Sequence, residues 1–143
     1  MTTKYCKISD VTSGQNLQIL EEAGETIRRG GLVVFPTETV YGLGGDATSA
    51  DSARAIYAAK GRPADNPLII HIAKPEEATQ YTRTNPVFDR LAARFMPGPL
   101  TVILPSLPSI PPEVRAGLDT VAVRCPSHPV VNALIRAAGV PIA

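Results

Sequence analysis

Fourteen prolines divide this 143-residue chain into short segments, and they constrain the fold more than any other property. Proline has a fixed φ and no backbone N–H, so it stays out of helix interiors and central strands. Between the prolines, apolar strand-like runs alternate with helical patterns, which indicates an α/β class. The spacings are too irregular for a regular doubly wound sheet. The expected fold is a twisted, mixed β-sheet with flanking helices, in a single domain spanning residues 1–143.

Residues 14–29 predict an amphipathic helix, with Leu17, Leu20, Ala23 and Ile27 at three- and four-residue steps and Gly30-Gly31 ending it. Leu32–Phe35 is a continuous apolar run, as in a strand buried on both faces. Thr48 or Ser49 caps a second helix over about residues 50–60, and residues 61–67 form a proline-stiffened loop. Leu68–Ala73 reads as a strand, Pro75 as the start of a short helix, and Pro86 as the first turn of another. In that second helix Phe88, Leu91, Ala92 and Phe95 mark the buried side. Leu100–Leu104 and Thr120–Arg124 read as strands, separated by a proline-rich loop over residues 105–118. His128-Pro129 opens a helix that runs to about Ala138 and closes at Gly139. Val140–Ala143 begins another apolar segment.

The net charge of +1, from 14 basic and 13 acidic residues, argues against the dense basic face of a strong nucleic-acid binder. No apolar run approaches the roughly 18 residues of a membrane span, and the N-terminus lacks the apolar core of a secretory signal. A cytoplasmic protein is expected. Cys6 and Cys125 form neither a CxxC pair nor a metal spacing and read as reduced thiols.

The chemistry concentrates in Lys60-Gly61-Arg62-Pro63-Ala64-Asp65-Asn66-Pro67 and the following Leu68–His71. A compact ammonium and a planar guanidinium two residues apart suit a chain of phosphates. A lysine at a helix C-terminus is also favoured by the dipole alone. Asn66, before Pro67, is biased to extended backbone that can hold its amide toward the same site, or it is simply a turn residue. Period two puts His71 on the face of Ile69, opposite Leu68, Ile70 and Ile72. A histidine there is either a satisfied core residue or the border of a cleft. No second histidine lies at metal spacing.

Thr37, Glu38 and Thr39 follow the first strand, where ligands gather in α/β sheets. Arg124, at a strand end, can meet a carboxylate bidentately. Two patterns are decoys. Gly42-Leu43-Gly44-Gly45-Asp46-Ala47 matches GxGxxG/A, but a polar stretch separates it from the first strand and the helix cap comes after it. Cys125-Pro126-Ser127-His128 offers a Cys and a His in sequence proximity only, and a structural thiol is the better reading.

With these residues in hand, the chain resembles the YrdC-like domain family, the L-threonylcarbamoyladenylate synthases, over about residues 14–143. The resemblance rests on Pro36–Leu43, Lys60-Gly61-Arg62-Pro63, Asn66–Ile69, Pro97–Thr101 and Gly117–Arg124. Gly139–Ala143 is similar to the family's lead-in to a Ser-x-Asn motif. That motif does not occur in this chain, so the expected fold is incomplete at its C-terminus.

The resemblance implies synthesis of L-threonylcarbamoyl-adenylate from L-threonine, bicarbonate and ATP, with release of pyrophosphate. The product serves tRNA threonylcarbamoyladenosine formation through downstream threonylcarbamoyl-transfer proteins. By motif, Lys60, Arg62, Asn66 and Thr120 would bind ATP, with Lys60 and Arg62 also catalytic. Thr39, His71 and Arg124 would line the threonine side. Mg²⁺ would come with ATP and have no dedicated protein site, and the protein would be a monomer.

Two other readings remain at this point. One is an RNA-binding or regulatory module on the same fold, with tRNA or double-stranded RNA as partner and Arg83, Arg90, Arg94 and Arg115 as its basic surface. The other is a carbamoyl-adenylate-forming domain of a maturation enzyme.

Overall fold

A computed structural model describes residues 2–143. The elements follow in order: α1 (Gly14–Arg28), β1 (Val33–Phe35), β2 (Gly42–Gly44), α2 (Ala50–Lys60), β3 (Ile69–His71), a 3₁₀ turn (Pro75–Gln80), α3 (Pro86–Phe95), β4 (Thr101–Pro105), β5 (Thr120–Arg124) and α4 (Pro129–Ala138). Local chemistry sets most of these boundaries. The side chains of Ser13, Ser49, Asn85 and His128 each accept a backbone N–H in the first turn of the helix they precede. Pro86 and Pro129 occupy first-turn positions, where a missing N–H costs nothing. Gly61 and Gly139 close α2 and α4 in the left-handed region, at φ 61° and 69°.

Strands β1 and β2 pair antiparallel, β3 and β5 pair parallel, and β4 pairs antiparallel with β5. The segment Pro141–Ala143 joins the two groups. Ile142 exchanges both backbone hydrogen bonds with His71, at 2.7 and 3.1 Å. Ala143 exchanges both with Gly45, at 3.0 and 3.2 Å, and Ala47 donates to the Pro141 carbonyl at 2.9 Å. The strands thus form a two-stranded antiparallel sheet, β1–β2, and a three-stranded mixed sheet in the order β3–β5–β4, linked by isolated bridges through Ile142; a twisted mixed sheet with flanking helices is the expected class.

Helices cover the sheet unequally. On the face of Ile70, Ile72, Val121, Val123 and Leu104, the helices α2 and α3 bury a core with Ile56, Tyr57, Phe88 and Ala92. On the opposite face α1 and α4 pack together, with Leu20, Ile27, Val131, Leu134 and Ile135 over Phe35, Ala73 and Ile142. They leave the β3–β5–β4 part of that face open, with Ile69 37% and Ile103 69% exposed.

Gly24 is where α1 meets α4: a Cβ there would lie 2.7 Å from the Ala137 carbonyl carbon and from the Ala138 nitrogen. At a solvated helix site Gly→Ala gains about 1 kcal/mol; a methyl forced against backbone costs about 1–3 kcal/mol. Gly24→Ala is therefore expected to lose about 1 kcal/mol net, read as a lower urea midpoint at unchanged slope.

Four expectations need correction. Residues 42–44 form a strand, where the sequence suggested only a polar interruption. β1 is not buried on both faces, since it is the sheet edge and Val34 is 64% exposed. Phe95 is 53% exposed at the end of α3, so the buried side of that helix is Phe88 and Ala92. The strand expected over Leu68–Ala73 is trimmed to Ile69–His71, although Ile72 still donates to the Arg124 carbonyl at 3.0 Å.

Candidate active site

The open face carries three cross-strand rows. His71, Arg124 and Thr101 are register partners across β3, β5 and β4. Ile69, Ala122 and Ile103 form the next row, and Thr120 pairs with Pro105 beyond it. Period two keeps Thr120, Ala122 and Arg124 on one side of β5, consistent with Val121 and Val123 being buried on the other. Four residue steps separate Thr120 from Arg124, roughly 13 Å along the strand.

The row of His71 and Arg124 lies where the α1–α4 layer ends. His71 Nδ1 is 3.1 Å from the Ile142 carbonyl oxygen. That oxygen only accepts, so the proton sits on Nδ1. Burial pushes the imidazole below its ordinary pKa, outweighing the Ile142 bond that raises it. His71 is therefore neutral at pH 7 and offers Nε2 as an acceptor. The Phe35 ring stands edge-on to it at 6.3 Å.

Arg124 donates through Nη2 to Glu38 Oε1. This is a single contact through one guanidinium nitrogen. The other Glu38 oxygen, Oε2, accepts from Ser127 N at 2.8 Å, Ser127 Oγ at 2.7 Å and His128 N at 3.1 Å. Burial alone would raise the Glu38 pKa, but the Ser127 bonds and the Arg124 charge prevail and bring it down to about 2. Arg124 Nε is buried and has no partner among the described residues. Thr39 lies on the same loop, which the Thr37 hydroxyl closes by accepting from Thr39 N and Val40 N, each at 3.2 Å, and donating to the Val40 carbonyl.

The other group of expected residues lies at the opposite end of the strands. Lys60 is exposed on the last turn of α2. Arg62 is half-buried and donates from Nη2 to the Pro67 carbonyl at 2.8 Å, tying off the loop that feeds β3. Its Nε is also buried without a partner. Asn66 is exposed, and its backbone carbonyl accepts from the Tyr57 hydroxyl at 3.0 Å. Thr120 begins β5. The structure thus places His71, Arg124 and the Thr39 loop together, and sets Lys60, Arg62, Asn66 and Thr120 at the far end of the strands. Sequence reasoning names Glu38 with Thr37 and Thr39 at the strand end but gives it no role in the site. The only sign of it was an acidic residue in a threonine-rich loop, together with an arginine suited to a carboxylate.

Both decoys fail on geometry. Gly42–Gly44 is strand, not a strand-to-helix turn, so no dinucleotide cradle forms there. Cys125 is fully buried, and burial raises its thiol to about 11, while His128 Nδ1 accepts from Val130 N at 3.2 Å. In the folded protein at pH 8, Ellman's reagent should react promptly with the partly exposed Cys6 alone, giving one fast equivalent; Cys125 should follow only on unfolding.

No described helix is long and apolar enough to cross a membrane. Among the described residues, no group of three or more His, Cys, Asp or Glu is arranged to hold a metal ion.

The chain is similar to several known proteins. The chain is 48% identical over 147 residues to a threonylcarbamoyl-AMP synthase of Bacillus subtilis, covering 100% of this chain and 42% of that protein. It is 52% identical over 118 residues to one from Pyrococcus abyssi, covering 82% and 35%. The chain therefore spans about two-fifths of the length of these relatives. The crystal structure of Pyrococcus abyssi Sua5 complexed with L-threonine superposes with a TM-score of 0.86 at 48% identity, covering 89% of this chain and 38% of that one. Escherichia coli YciO superposes with a TM-score of 0.79 at 27% identity, covering 88% and 62%. The family model Sua5/YciO/YrdC, described as "Telomere recombination", matches residues 25–143, and the chain belongs to that family.

Proposed function

We propose that the intact protein carrying this chain makes L-threonylcarbamoyl-adenylate from L-threonine, bicarbonate and ATP, releasing pyrophosphate, for tRNA threonylcarbamoyladenosine formation. The observation that carries this reading is one open sheet face with an imidazole–guanidinium row at one end and the Lys60–Asn66 loop feeding the other. The threonine carboxylate meets the Arg124 guanidinium, and His71 Nε2 accepts from the amino acid's hydroxyl or amine. Thr39, on the loop that Glu38 ties to Arg124, borders the same end of the sheet face. Bicarbonate takes up a proton and loses water to give CO₂, which the threonine amine captures with release of a proton to form a carbamate; the carbamate oxygen attacks the α-phosphorus of ATP as pyrophosphate leaves. This step needs orientation and charge neutralisation more than covalent help from the protein.

Lys60 and Arg62 offset the phosphate charge, while Asn66 and Thr120 contact the nucleotide. Mg²⁺ comes with the phosphates, whose oxygens and water suit it. Pyrophosphate release should require both threonine and bicarbonate, and carbamoyl phosphate should not replace them. ATP consumption indifferent to threonine would overturn the reading.

Lys60→Ala and Arg62→Ala should each remove one charge-assisted contact, about 1.5–3 kcal/mol, and weaken ATP binding roughly 10- to 150-fold by calorimetry. Unchanged affinity in both variants would remove these residues from the phosphate site.

A further inference from the structure

Four donors converge on the Glu38 carboxylate: Arg124 Nη2 on one oxygen, and Ser127 N, Ser127 Oγ and His128 N on the other. These donors lie 86 to 90 positions away in sequence, on the end of β5 and the turn into α4. The loop carrying Glu38 is itself braced by the Thr37 hydroxyl. We propose that Glu38 is a positioning residue: without touching substrate, it locks Arg124 and the turn into α4 as one unit, so that the guanidinium presents its remaining N–H groups to an amino-acid carboxylate. The inference rests on the reading of this end as the threonine end.

Two further observations support it. The Arg124 side chain is 13% exposed, and its buried Nε has no partner among the described residues. An unsatisfied buried donor costs about 1–3 kcal/mol, so it calls for an acceptor from outside the chain. Glu38 also stays ionised throughout the working pH range, its carboxyl being held at about 2. It therefore cannot let go of Arg124 by taking up a proton.

The alternative role makes the opposite prediction. If Glu38 merely competed with the substrate carboxylate for Arg124, neutralising it would tighten threonine binding. If it aims Arg124, neutralising it weakens threonine binding even though a repulsive charge is gone.

The test is calorimetry of L-threonine and of ATP on the intact polypeptide and its Glu38→Gln and Ser127→Ala variants, with circular dichroism to confirm folding. Glu38→Gln should weaken threonine at least tenfold while ATP affinity stays within twofold. Ser127→Ala, which removes one of the four donors, should weaken threonine two- to fivefold. If the unsubstituted protein has no threonine affinity, the amino-acid reading of this end falls, and the proposal with it. If it binds threonine but Glu38→Gln binds equally or more tightly, positioning alone is overturned. Equal losses for threonine and ATP would mean general structural damage and also overturn it. If Glu38→Gln does not fold, unchanged threonine affinity in Ser127→Ala overturns the proposal.

Discussion

Glu38→Ala should destabilise the fold by about 3 kcal/mol in urea at pH 7. The substitution leaves the Arg124 guanidinium, 13% exposed, without its counter-ion, and strips the acceptor from Ser127 N and His128 N. Breaking one side of a buried pair costs about 3–5 kcal/mol because a charge is left unpaired; the 20% exposure of Glu38 places this case at the low end. The pH dependence has a definite sign. The folded Glu38 carboxyl titrates at about 2, against an ordinary 4.5. Its contribution is fully present above pH 4.5 and is lost as pH falls through 2. Allowing for screening of its exposed part, the unsubstituted protein should lose about 2 kcal/mol from this group between pH 5 and pH 2. The stability gap to Glu38→Ala should narrow over the same interval. A gap that is constant with pH would mean that Glu38 acts through packing and not through its charge.

Gly44→Ala is the second large effect, about 3 kcal/mol. A Cβ at Gly44 would lie 2.6 Å from Ile142 Cγ2, 2.7 Å from the Ala143 carbonyl oxygen and 2.8 Å from Phe35 Cε1. The carbonyl belongs to the backbone pairing with Gly45, and both side chains are buried, so no neighbour can yield cheaply. Overpacking of this kind costs typically 1–3 kcal/mol, and three simultaneous contacts put it at the top of that range. The wedge also pushes on Ile142, whose carbonyl receives both N–H groups of His71. Threonine affinity should therefore fall together with the urea midpoint. A variant with a normal midpoint would show that the 141–143 segment can shift freely.

The two substitutions also show what was legible in the sequence. Caps and breakers act within a few residues of one another, so Ser49, Pro86, Pro129 and Gly139 disclosed the helices to within a residue or so. Period two disclosed the face of His71. β2 escaped because glycine carries no strand propensity, and its pairing with β1 depends on Phe35 lying over Gly42. The exposure of Val34 was illegible because a short apolar run looks the same at a sheet edge as at its centre. Lys60, Arg62 and Asn66 stood out by chemistry within one loop. Glu38 did not, because its partners lie more than 80 positions away and no local pattern links them.

The placement of Ile142 has a consequence for the order of assembly. The backbone that aligns His71 is supplied by a residue 71 positions further along, whereas the loop bearing Lys60 and Arg62 is tied within itself by Arg62 to Pro67 and anchored no later in the chain than Glu113 and Val114. Long closures are entropically dearer and slower than short ones. The phosphate-side loop can thus take shape early in a growing chain, while the amino-acid side waits for residues 141–143 to zip the two halves together. A ribosome-bound intermediate stopped before Ile142 would have its cationic loop formed and its imidazole still unaligned.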